Sequence, residues 1–197
     1  MMTSSANEAS SPADGGLASV PFDSRQLRDA LGVFPTGIIV LTGHDAAGER
    51  IGMTMSSFNS VSLEPPLVLF SIHRAASSFS KWQQCSRFAI NVLGEDQEEL
   101  SNRFSRSQGA KWEGISPIVG KTGVPLLGDA LVAFECEAHA SHDGGDHVIF
   151  VVKVVELYRP KSKSRGPILF YGGKYRRLDD STTSLPASIE ADYLHGW

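Results

Sequence analysis

The chain has 197 residues, a formal net charge of −4, 41% hydrophobic residues and 20% charged residues. At that length a single globular domain buries roughly 70% of its unfolded surface, which excludes general disorder, and the charge excludes a globally basic nucleic-acid surface. No run approaches the ~18 apolar residues of a membrane helix, and the two cysteines, Cys85 and Cys136, suit a reduced cytoplasmic setting rather than a disulfide framework.

Residues 1–22 read as a disordered tail of small polar residues, without the basic start or apolar stretch of a signal peptide. Order is expected from Asp23, which can cap a helix that stops near Gly32 and turns Leu27, Ala30 and Leu31 onto a sheet. The period then changes: 37–42 reads as a strand, 44–48 as a turn and 51–58 as the returning strand. A strand at 67–73, a short helix at 77–84, a strand at 88–93 and a helix at 96–104 follow. Residues 105–129 are rich in Gly and Pro and read as loop. Three strands come next, at 131–139, 147–158 and 167–171. The run from Val148 to Val155 is apolar on both faces, as in a barrel wall covered from outside by a helix or a second subunit. Seven or so strands with two or three short helices predict a mainly β, closed barrel with short peripheral helices, not a doubly wound sheet. Residues 179–197 read as a tail or an arm on a partner, leaving 23–178 as the domain.

No dinucleotide-binding glycine fingerprint, P-loop or nucleophile elbow is present, so any nucleotide must be held by another scaffold. His139, His142, Asp143, Asp146 and His147 lie within nine positions, but 141–146 has hairpin-turn chemistry, with His139 on a strand and His142 in the turn, so no metal site is expected. His147 opens a strand and so stands at a barrel rim, where ligands reach but where structural histidines also occur. Thr54, Ser56, Ser57, Asn59 and Ser60 cluster beside a buried-looking strand. They suit the edge of a heterocycle or a phosphate, and equally an edge strand satisfied by water. Arg74 followed by Ser77 and Ser78 at a helix start is either an anion site or a cap without a ligand. Seven cations between Arg159 and Arg177 with no acid among them suit dinucleotide phosphates or a solvated loop. The aromatic platforms of a single-strand nucleic-acid binder are not interleaved there.

Six segments in order carry a resemblance: 34–42 (Phe-Pro-Thr-Gly-Ile-Ile-Val-Leu-Thr), 52–68 (Gly-Met-Thr-Met-Ser-Ser-Phe through Glu-Pro-Pro-Leu-Val), 88–93, Asn102-Arg103-Phe104-Ser105, Gly145-Asp146-His147 with the strand after it, and 169–175. Together they resemble the flavin reductase-like family of FMN-binding split barrels, over about residues 25–178. Ile38-Ile39 departs from the Val-Thr pair common there. The resemblance implies that Thr54, Met55, Ser56, Ser57 and Phe58 line the flavin ring and ribityl chain. Ser71, Ile72, His73, Arg74, Ser77 and Ser78 would approach ring and phosphate, Asn91 the isoalloxazine, and Arg103 the outer phosphate or adenylate. His147 is implied near the nicotinamide as the catalytic histidine, with Tyr171, Gly172 and Gly173 shaping the same pocket. The implied activity is hydride transfer from NADH or NADPH to FMN or FAD, delivering reduced flavin to a partner monooxygenase, by a homodimer that binds neither membrane nor nucleic acid. The alternatives are a flavin-retaining carrier or sensor and a flavin-dependent oxidase of the same barrel type.

Overall fold

The structure, a computed structural model, describes residues 17–160 and 165–179. Most of the expected tails, and Lys161 and Lys163 of the basic run, lie outside the described residues. Helix α1 (Ser24–Leu31) begins with a capping box, in which Asp23 accepts from the Arg25 and Gln26 N–H groups while Gln26 Oε1 accepts from the Asp23 N–H. Strands β1 (Thr36–Gly37), β2 (Ile39–His44), β3 (Arg50–Met55), β4 (Asn59–Ser62) and β5 (Leu67–His73) follow. Helix α2 (Phe79–Gln83), strand β6 (Arg87–Val92) and helix α3 (Glu98–Ser105) come next, then the short pair β7 (Ile118–Val119) and β8 (Pro125–Leu126). The long hairpin β9 (Val132–Gly144) and β10 (His147–Tyr158) precedes β11 (Leu169–Tyr171) and β12 (Lys174–Arg176).

Seven strands form one antiparallel sheet in the order β3-β2-β6-β9-β10-β5-β4. Its two edge strands, β3 and β4, are consecutive in the chain and joined only by residues 56–58. A connection that short spans at most about 14 Å, so the sheet curls until its edges approach each other. The fold is a split barrel, and among the described residues no backbone ladder closes it, contrary to the closed barrel expected. The curled face holds one core, in which Met55 from one edge and Val68 and Phe70 from near the other pack with Ile39, Leu41, Trp82, Phe88, Ile90, Val148, Phe150 and Val152. Phe70 lies stacked on Phe150 and edge-on to Phe88.

Four expectations are corrected. Helix α1 buries none of its residues, and Leu31 is 66% exposed, because no sheet face lies under it in a single chain. The β9–β10 hairpin is longer than expected: Gly144 pairs with His147 across the turn Gly145-Asp146, so His142 lies on β9 and not in the turn. Gly145 at φ 74° suits the first position of such a two-residue turn. The outer face of β10 is only half covered, with Leu157 52% exposed. Finally, four strands lie outside those expected: β4 is polar, β12 lies inside the basic run, and the two-residue β7 and β8, too short to show a period, pair within the stretch read as loop. The small sheet β1-β11-β12 packs through Phe170 and Tyr175 against Val40, Phe104 and Ile168.

Candidate functional site

The corner at 56–58 is where the barrel's edges meet. Ser57 Oγ donates to the Ser71 carbonyl and accepts from the Ser71 N–H, both at 3.0 Å. With Asn59 opposite Leu69, Ser57 continues the β4–β5 register, so its side chain does what a backbone pair would do. Met55 ends β3 buried in the main core, and Phe58, past the break in the strand at the corner, packs against the same core and stacks on Phe134 with centroids 6.1 Å apart. Ser56 is exposed at the corner. Thr54 lies on the other face of β3, its hydroxyl donating to the Ser101 carbonyl of α3 at 2.6 Å.

Next to the start of β3 opens a cleft of about 580 Å³, lined among others by Arg50, Gly52, Ser77, Ser78, Lys81 and Lys111. Its size is that of a small-molecule site. One wall is built by close packing: a Cβ on Gly52 would stand 2.4 Å from the Phe104 ring, and Phe104 meets Trp112 edge to face at 5.1 Å. The Arg50 guanidinium lies 5.3 Å from the centre of the Trp112 ring, a cation–π arrangement. Lys111 Nζ donates to the Gly52 and Phe104 carbonyls, tying the loop after α3 to β3 and leaving one ammonium donor. Burial pushes its pKa down from the usual lysine range. Lys81 pairs with Asp45 at 2.7 Å, and that hydrogen bond holds the Asp45 carboxyl below the ordinary range. Ser78 Oγ accepts from Trp82 Nε1, which leaves its hydroxyl proton free to donate. Arg103, with Nη1 on the Glu113 carbonyl, and Arg106 line an adjoining cleft of about 300 Å³ that shares Lys111 and Glu113 with the larger one.

Three cations, three serines and an indole around one cleft fit a phosphorylated aromatic ligand such as a flavin nucleotide. Of its residues, Arg50, Lys81, Lys111 and Trp112 are absent from the sequence-based candidates. Arg50 stands two places before the Gly52 motif and was within reach of it; Lys111 and Trp112 sit in an aperiodic loop that offers no local signal.

At the turn end of the β9–β10 hairpin, His73 and His147 are register partners, with Asp146 beside both. Arg74 donates to Asp143 Oδ2 at 2.8 Å and to the Gly145 carbonyl at 3.0 Å, so its guanidinium clamps the turn. Ser77 follows His73 by four residues and is therefore within about 15 Å of it.

Three groups of candidates lie outside the two clefts. Ile72 is 1% exposed, its side chain in the core. Asn91 is fully buried: its amide donates to the Val40 carbonyl and Thr42 Oγ1 and accepts from the Leu127 N–H, so it fastens strands. Tyr171, Gly172 and Gly173 form the β11–β12 turn on the small sheet and line neither cleft; the Gly172 N–H donates to the Gly32 carbonyl. Among the described residues no group of acids, histidines or cysteines is arranged to hold a metal ion.

Comparison with known proteins agrees with this geometry. The family model described as "Flavin reductase like domain" matches residues 31–179. FMN reductase (NADH) SmoA of Agrobacterium fabrum (strain C58 / ATCC 33970) is 41% identical over 156 residues, 79% of this chain and 87% of that protein. Among solved structures, nitrilotriacetate monooxygenase component B from Mycobacterium thermoresistibile superposes with a TM-score of 0.79 at 33% identity, covering 86% of this chain and 93% of the other. The Streptomyces globisporus NADH:FAD oxidoreductase SgcE6, in complex with NAD and FAD fragments, superposes at 0.77 and 34% identity, covering 85% and 100%. Some curated relatives are longer, and the chain spans 43% of one and 58% of another. The barrel whose edges meet at Ser57, the basic cleft at the start of β3 and the match over residues 31–179 place this chain in the flavin reductase-like domain family.

Proposed function

We propose that the protein is an NAD(P)H-dependent flavin reductase that passes reduced FMN or FAD to a partner monooxygenase. The observation that carries this reading is the basic cleft at the start of β3 in a chain of this family. When bound, the nicotinamide supplies the hydride and the flavin accepts it. The chain's task is then to hold two rings face to face and to place charge around them. Ser77, Ser78 and Lys111 bind the flavin phosphate, with Arg50 and Lys81 adding positive charge. Thr54 and Ser56 stand on the ring side of β3 and the corner, where backbone N–H groups and the Ser56 hydroxyl offset negative charge that develops on the ring. Met55, Phe58, Ser57 and Ser71 act by shaping the corner. His147 meets the nicotinamide at the rim, and Arg103 reaches the outer phosphate or adenylate of a dinucleotide. The rings need no nucleophile from the protein.

A homodimer accounts for the apolar residues that one chain leaves open. Leu27, Leu31, Val33 and Phe34 are exposed on and after α1, as are Val155 and Leu157 on the outer face of β10. Two free cysteines, Cys85 and Cys136, accord with a cytoplasmic setting. Burial pushes the Cys85 thiol up to about 11 and that of Cys136 to about 12, so neither is a nucleophile near neutral pH. No helix among the described residues is long and apolar enough to cross a membrane.

The test is oxidation of NADH and NADPH by the purified full chain, with FMN and with FAD. Turnover that requires added flavin is expected. Protein that oxidises neither nucleotide with either flavin refutes the reading, and protein that retains bound flavin yet fails to turn over points to a carrier.

A further inference from the structure

The hairpin end that carries His147 holds a second histidine to which hydride transfer assigns no part. His73 and His147 face each other across β5 and β10, their rings edge to face with centroids 4.8 Å apart. Asp146 serves both: Oδ1 lies 2.7 Å from His147 Nδ1, and Oδ2 lies 3.6 Å from His73 Nε2. These contacts assign both tautomers. A backbone N–H can only donate, so the Ala75 N–H, 2.9 Å from His73 Nδ1, leaves that nitrogen bare and puts the ring proton on Nε2, facing Asp146. The carboxylate of Asp146 can only accept, and the His147 hydrogen bond holds it below the ordinary carboxylate range. His147 Nδ1 therefore carries a proton, and in the neutral ring Nε2 is a bare acceptor.

The turn that sets this geometry is itself held. The Arg74 N–H donates to the Asp146 carbonyl at 2.8 Å, while the Arg74 side chain grips Asp143 and the Gly145 carbonyl. Asp143 on β9, Arg74 after β5, and His73 and Asp146 are charged and titratable groups at this turn, and among the described residues Asp146 is the hydrogen-bond partner of the His147 ring.

We propose that Asp146 and His73 are positioning residues that hold His147 with Nε2 as an acceptor at the rim, where it takes a hydrogen bond from the carboxamide N–H of a nicotinamide. This rests on the proposed nicotinamide role of His147. The carboxamide does not react, so the contact acts on binding and is read in KM more than in kcat.

The experiment compares imidazole 15N shifts of wild type and Asp146→Ala, in the full chain at a pH where both rings are neutral. The Asp146 side chain is 74% exposed, so its removal leaves the fold intact. The His147 proton is expected on Nδ1 in wild type and on Nε2 in Asp146→Ala. KM for NADH rises about tenfold in that variant with kcat within about twofold, the effect of one hydrogen bond. In a His147→Ala background, Asp146→Ala changes KM no further. His73→Phe, which keeps the ring contact but not the N–H, raises KM about threefold. A wild-type His147 proton on Nε2, an unchanged KM in Asp146→Ala, or additive effects in the double variant each overturn the proposal. Wild-type protein that oxidises no NADH refutes the flavin reductase reading instead, and the tautomer measurement still decides the geometry.

Discussion

Two sets of polar residues differ in what their hydrogen bonds leave over. Inside the wall, Asn91, Thr42 and Glu135 are fully buried and engaged from all sides. Thr42 donates to the Pro125 carbonyl at 2.5 Å. Glu135 accepts from the Lys121 and Thr122 N–H groups at 2.7 and 2.6 Å and from the Tyr158 hydroxyl. In the cleft and at the rim, Arg50, Lys111, Ser78 and His147 are held by part of their capacity and keep a donor or acceptor in reserve. The first set closes the fold, and the second is equipped to meet a ligand. Residue type does not separate them; residual capacity does.

The comparison breaks most visibly at Glu135. Burial raises its pKa, but the hydrogen bonds from Thr122, Tyr158 and Lys121 outweigh that and hold it below the usual range. Glu135→Gln is expected to cost about 3 kcal/mol, lowering Tm by roughly 6–12 °C while KM for flavin stays unchanged. Because the folded pKa is depressed, the stabilisation is present above the unfolded value of about 4.3 and is lost as pH falls through the folded one. Acid melts should therefore show the gap between wild type and Glu135→Gln narrowing below about pH 4.

Gly52→Ala joins the two sets, since its Cβ would press the buried Phe104 ring that backs the cleft. A loss of about 2 kcal/mol in stability is expected together with weaker flavin binding, checked by melting and titration of one sample. Lys111→Met keeps the packed stem and removes the charge. It should raise the flavin KM about tenfold and lower stability by about 1 kcal/mol, seen in kinetics and urea midpoints. Arg50→Ala is the mildest: a KM about threefold higher and stability within about 0.5 kcal/mol, measured in the same assays. If Arg50→Ala destabilised the protein as much as Glu135→Gln, the distinction between the two sets would fail.

Much of the architecture was legible from local pattern. The strand at 67–73 matches β5 residue for residue, and the Asp23 cap, α2, α3 and the long hairpin fall within a few residues of their expected places. Alternating apolar residues and caps act over a few neighbours, so a sequence displays them directly. Strand β4 was missed because its side chains are polar or exposed, and its pairing comes from β5. The candidate site was legible in part. Ser77, Ser78 and Arg103 line the two adjoining clefts, whereas Ile72 and Asn91 turned out to be core residues. Asn91 looks the same in sequence whether it meets a ligand or Leu127, 36 positions away.

By itself, the order of apolar and turn-forming residues pointed to a mainly β barrel with short helices, and six motif segments in order carried the family resemblance. Tertiary structure alone decided that Ser57 would join the barrel's edges, that Lys111 and Trp112 would line one cleft with Arg50 across some sixty positions, and that Asp146 would lie beside both His73 and His147. The reason is physical: hydrophobic periodicity is a property of neighbours in the chain, but a polar atom's remaining hydrogen-bond capacity depends on partners that only folding brings near.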